Sequence, residues 1–99
     1  MFLFLLLACY WVLFVRVVVR VFLDYRDRVG WSERVVELPS GSVLEDLLRM
    51  IGLPEAVEDL RRGRGIALIN GRNVLLGKGL GEVLRDGDVV ALFPPAGGG

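Results

Sequence analysis

The stretch Val15-Arg16-Val17-Val18-Val19-Arg20-Val21-Phe22-Leu23 does most to limit what this chain can become. β-Branched residues fill its odd positions, while Arg16, Val18 and Arg20 fall on the even ones. Strand side chains alternate between the two faces of a sheet, so this period of two predicts a half-buried strand with its odd face to the core. A second valine-rich run, Val89-Val90-Ala91-Leu92-Phe93, lies near the other end. The two fit side by side in the middle of a sheet, which makes them parallel.

The intervening sequence supplies the rest. Asp24 to Ser32 is polar, holds Gly30 and reads as a connection. Glu33 to Leu38 reads as a second strand, stopped by Pro39-Ser40-Gly41 and paired with the first as a hairpin with a long loop. Ser42 is expected to cap a helix, with Glu45 at the capping-box position. Val43, Leu44, Leu47, Leu48 and Ile51 follow at helical spacing, and Gly52 closes the element. Leu53-Pro54 starts a further short turn running to Leu60. Gly65 to Ile69 is a third strand, and Asn70-Gly71 turns it into the short Arg72 to Leu75. Leu80, Val83 and Leu84 are expected to tuck under the sheet before the last strand, Asp88 to Phe93. The class is α+β: a mixed sheet with one main helix packed across it, a β-grasp (ubiquitin-like) arrangement.

Size and composition narrow the function. The 99 residues make one domain: an apolar extension over 1–14, a β-grasp body over 15–95 and a glycine-rich tail over 96–99. Twelve basic and twelve acidic residues cancel, so no global field draws the chain to nucleic acid or to anionic lipid. Arg61-Arg62-Gly63-Arg64 reads as a solvated loop. With Cys9 the single cysteine and no histidine at all, Ser-His and Cys-His nucleophiles and thiolate metal sites are out of reach. A reducing, cytoplasmic setting and a non-enzymatic role fit that inventory. Residues 1–14 carry no charge and as a helix would span roughly 21 Å, short of a ~30 Å hydrocarbon core. Three readings fit them: a start placed too far upstream, an extension that packs in an assembly, or a weak membrane anchor.

Several chemical motifs fail on spacing. Gly71 to Lys78 has one residue too many for a phosphate loop, and Gly79 stands where Ser or Thr should bind magnesium. Gly77, Gly79 and Gly81 miss the dinucleotide pattern. Asp86-Gly87-Asp88 lacks the later bidentate Glu of a calcium loop and reads as a turn into the last strand.

That strand runs into Pro94-Pro95 and then Ala96-Gly97-Gly98-Gly99. Proline fixes φ and removes a donor, so the pair ends sheet pairing and projects the tail outward. Glycines without Cβ atoms can thread a narrow channel and present a terminal carboxylate to another protein. With Val90 and Leu92 inward, alternation turns Ala91 and Phe93 outward as partner contacts; the alternative puts Phe93 inward with Val89. Arg85-Asp86-Gly87-Asp88-Val89-Val90-Ala91-Leu92-Phe93-Pro94-Pro95, followed by Gly98-Gly99, resembles MoaD, the small subunit of molybdopterin synthase. The likeness extends over about Val15 to Gly99, within the wider group of ThiS-type and Urm1-type ubiquitin-like sulfur carriers. The family more often has a larger residue at Ala96 and Ala or Ser at Gly97.

The resemblance implies a sulfur carrier. An E1-like adenylating enzyme of the MoeB or ThiF type uses ATP to activate the Gly99 carboxylate, which a sulfur donor converts to a thiocarboxylate. Gly97 and Gly98 then thread the tail into a MoaE-type large subunit, with Ala91, Phe93, Pro94 and Pro95 at the interface, and sulfur passes to a pterin precursor. No cofactor is bound by the chain itself. The rival readings are a ubiquitin-like protein modifier, a ThiS-type or Urm1-type carrier for thiazole synthesis or tRNA thiolation, and a plain interaction domain.

Overall fold

The computed structural model describes residues 13–96; Gly97, Gly98, Gly99 and nearly all of the apolar extension lie outside the described residues. The elements run β1 (Phe14–Val21), α1 (Leu23–Val29), β2 (Glu33–Pro39), α2 (Leu44–Met50), α3 (Pro54–Arg61), β3 (Ile66–Ile69), β4 (Arg72–Asn73) and β5 (Val89–Phe93). Two 3₁₀ turns, Val74–Leu76 and Gly79–Gly81, lie between β4 and β5.

The five strands form one mixed sheet in the order β2-β1-β5-β3-β4. β1 and β5 are central and parallel, with Val19 opposite Val90 and Val21 opposite Leu92. β1 pairs antiparallel with β2, and β3 pairs antiparallel with both β5 and β4. This is the expected β-grasp topology. Its register follows from one apolar face: Val17, Val19, Val21, Val36, Leu38, Ala67, Val90 and Leu92 are all buried on the helical side. On the open side Arg16 faces Glu37 at 3.7 Å and Arg20 faces Glu33 at 2.8 Å, each pair directly cross-strand. Exposed pairs of this kind contribute only ~0.2–1 kcal/mol each, so hydrophobic burial sets the register and the ions agree with it.

The helical layer departs from the single helix expected. α2 brings Leu44, Leu47 and Leu48 into the core, and α3 adds Ala56, Val57 and Leu60. Leu53-Pro54 therefore starts a full helix, because Pro54 at its first turn loses no hydrogen bond and the apolar spacing continues. Glu45 bridges the two helices, accepting from Arg49 at 2.8 Å and from Arg61 at 3.3 Å. The cap of α2 also sits one residue later than expected. Val43 is the N-cap residue, and the Asp46 carboxylate accepts from its backbone N–H at 2.9 Å. Ser42 instead donates to the Pro39 carbonyl at 2.6 Å, closing the turn out of β2.

Two further expectations change. The Asp24–Ser32 connection is mostly helical, forming α1 with Gly30 at its C-cap in the left-handed region (φ 85°). Leu84 is buried and Leu80 packs against the core, but Val83 is 45% exposed. Val83 is held by an isolated bridge to Val43, in which Leu44 donates to the Glu82 carbonyl and Leu84 to the Ser42 carbonyl, both at 2.9 Å. Backbone pairing decides its position, and its neighbour Leu84 takes the inward place.

Candidate functional site

The last strand is fixed at its start by a polar lock. Asn70 has φ 53° at the β3–β4 turn, a conformation asparagine tolerates better than most residues. Its Nδ2 donates to Asp88 Oδ1, and its Oδ1 accepts from the Val89 N–H, both at 2.9 Å. The other Asp88 oxygen accepts from the Arg85 N–H at 2.8 Å. Asp86 accepts from the Arg16 N–H at 2.9 Å, which ties the same turn to β1. Asp86-Gly87-Asp88 is thus a structural turn.

Alternation then carries β5 to the exit. Val90 and Leu92 are buried, while Val89, Ala91 and Phe93 are half-buried on the open face. Phe93 therefore lies away from the helical layer. Its ring is not free on both sides: Phe22 stacks on it with centroids 4.4 Å apart and planes within 6°. Phe22 is the residue before α1, read from the sequence as part of the first strand but not as a contributor to the exit. Its position after the alternating β1 pattern, on the same face as Arg20, was the available signal.

Pro94 and Pro95 are half-buried and Ala96 is exposed. Beside the prolines lies an open cleft of about 580 Å³, lined also by Tyr25, Asp24, Glu55 and Asp59. Tyr25 is only 5% exposed and donates from its hydroxyl to Asp59 Oδ2 at 2.5 Å. Burial, then the hydrogen bond to Asp59 and the charges of Asp59 and Glu55, hold the Tyr25 phenol well above its ordinary pKa. It stays a neutral donor at any physiological pH. Gly65 sits under the exit with φ 75°, and a Cβ there would lie 3.1 Å from the Phe93 carbonyl oxygen and 3.5 Å from Pro95 Cδ.

Among the described residues no group of three or more His, Cys, Asp or Glu side chains is placed to hold a metal ion. Ala91, Phe93, Pro94 and Pro95, the contacts expected from the sequence, lie together at the end of a central strand, whereas Gly97, Gly98 and Gly99, expected to thread and to react, fall outside the described residues.

The ThiS family profile matches residues 19–99. The chain belongs to the ThiS family. As a ThiS-family protein it falls in the group of ubiquitin-like sulfur carriers and modifiers. No curated protein matches it. Among solved structures, this ThiS-family chain is similar to the Haloferax volcanii HVO 2177 protein, with 28% identity, a TM-score of 0.72 and coverage of 88% of this chain and 89% of that one. It is similar to a Pyrococcus furiosus protein proposed to be molybdopterin converting factor subunit 1, with 34% identity, a TM-score of 0.62 and coverage of 83% and 99%. It is also similar to small archaeal modifier protein 1 from Methanosarcina acetivorans, with 25% identity, a TM-score of 0.67 and coverage of 87% and 98%.

Proposed function

We propose that this protein is a sulfur carrier for molybdopterin formation, acting as the small, non-catalytic subunit of a two-protein synthase. The observation that carries this reading is the Phe93-Pro94-Pro95 block leaving a central, doubly paired strand and leading to Gly97-Gly98-Gly99. The 34% identity with a protein proposed as subunit 1 of a molybdopterin converting factor supports the pathway and a larger partner.

The chemistry requires an activating enzyme because a bare carboxylate is a poor electrophile. An E1-like enzyme of the MoeB or ThiF type joins the Gly99 carboxylate to the AMP moiety of ATP, releasing pyrophosphate. A sulfide-level donor then attacks the acyl carbon and expels AMP, leaving a thiocarboxylate. A MoaE-type large subunit receives the tail and supplies the side chains that move sulfur to the pterin precursor. Ordering four tail residues (96–99) costs roughly 4–8 kcal/mol at ~1–2 per residue. Apolar surface near the exit offsets that cost, and Phe93, Ala91 and the prolines are the residues placed to provide it.

Intact-mass measurement after incubation with a MoeB-type enzyme, ATP and a sulfide source tests the proposal. The expected product has one oxygen replaced by sulfur, and deletion of Gly99 abolishes it. Failure of the intact chain to gain that mass overturns the reading. The similarity to small archaeal modifier protein 1 favours a second use, isopeptide attachment of Gly99 to lysines. Covalent adducts in cell extracts that vanish with the Gly99 deletion would establish it.

A further inference from the structure

We propose that Phe22, placed by a strained turn at Leu23, is a positioning residue that clamps Phe93 and sets the direction in which the terminal segment reaches a partner's active site, with Tyr25 bordering the same exit. The inference rests on the sulfur-carrier reading and adds residues from the opposite end of the chain to it.

Two contacts from Phe22 converge on the exit, and Tyr25 borders it. The Phe22 N–H donates to the Leu92 carbonyl at 3.1 Å, extending the β1–β5 pairing past the last residue of β1. The Phe22 ring then lies flat on Phe93 at 4.4 Å. On the other side, the Tyr25 hydroxyl is fixed by Asp59, and Tyr25 borders the same open cleft as Pro94 and Pro95. The chain is therefore held by Phe22 at Leu92 and Phe93, immediately before the prolines that border the Tyr25 cleft.

The turn that makes this possible is costly. Leu23 has φ 55°, a left-handed conformation that a residue with a Cβ avoids. Its side chain is 63% exposed, so packing does not account for the strain. What the conformation achieves is a sharp change of direction, leaving Phe22 on the sheet's open face and Tyr25, three positions on, in the core. Backbone strain of this kind persists where surrounding contacts enforce it and clusters at functional sites.

A purely structural role predicts a different pattern. Phe22 is 36% exposed and lies outside the core, so its removal should loosen the exit more than it lowers stability. The experiment uses the full chain with Phe22→Ala, Phe22→Leu and Phe22→Tyr, each checked by thermal unfolding. The Ala96 amide order parameter is measured by NMR, and adenylation is followed by pyrophosphate exchange with the source organism's MoeB-type enzyme. In F22A and F22L the Ala96 order parameter should fall below about 0.6. The same two variants should lose about tenfold or more in kcat with KM changed less than about twofold, because misplacing a reacting group costs turnover. F22Y, which keeps the planar ring, should restore both. Unchanged Ala96 order in F22A overturns the clamp. Lost order with kcat within about twofold of the unaltered chain overturns its role in transfer. If the unaltered chain is not adenylated at all, the carrier reading fails, while the NMR comparison still decides the clamp.

Discussion

Single residues around the exit are under conflicting demands, and Gly65 shows this best. Its φ of 75° and the 3.1 Å approach of a Cβ to the Phe93 carbonyl exclude alanine on two counts. Gly65→Ala should destabilise the fold by about 1–3 kcal/mol, lowering Tm by roughly 5–20 °C in a domain of this size. Differential scanning calorimetry checks it. Tyr25 makes a pH-dependent prediction. Its phenol keeps its proton in the folded state above the ordinary tyrosine pKa of ~10, whereas the unfolded chain releases it there. The unfolded state then binds fewer protons, so stability is full below about pH 10 and falls as pH rises towards the folded-state pKa, by up to ~1.4 kcal/mol per pH unit. Chemical denaturation between pH 9 and 11 should show that slope in the native chain and a shallower one in Tyr25→Phe.

Among the elements, β5 is held by side chains at its start and by rings at its end. Asn70→Ala removes both bonds to Asp88 and Val89 and leaves a positive φ on alanine. A loss of about 1–3 kcal/mol is expected, with faster amide exchange concentrated at Val89 and Val90. Asn70→Gly should recover the backbone part alone. The strands were legible in the sequence because a period of two has few other causes: Val17, Val19 and Val21 could be assigned to one face before any contact was known. The α1 helix was not. Its seven residues bury only Tyr25, too few to produce a visible apolar stripe, and its signals were weaker ones: Asp24 in the first turn, Arg26 and Arg28 in the last, and Gly30 as the stop. The displaced cap has a similar cause. Ser42 and Asp46 both had the chemistry for a helix start, and the turn from Pro39 claimed the serine. At the exit, alternation correctly placed Ala91 and Phe93, but no local pattern links Phe22 to a residue 71 positions away.

Taken whole, the molecule has one core shared by the sheet and three short helices. Leu47 is fully buried among them, so Leu47→Ala should cost about 2–5 kcal/mol, a large part of the 5–15 kcal/mol typical of a small domain. Urea titration would give the value. Loss of Gly98 and Gly99 should leave that stability unchanged within about 0.5 kcal/mol while eliminating thiocarboxylate formation, separating body from tail. The parallel placement of β1 beside β5 has a mechanical consequence. A pull on the tail against the opposite end of the chain slides the two strands lengthwise, so the hydrogen bonds between them share the load at once. Peeling an edge strand would break such bonds one after another. Stretched between its termini, the domain is therefore loaded along its most resistant direction, and force spectroscopy should find it hard to rupture that way.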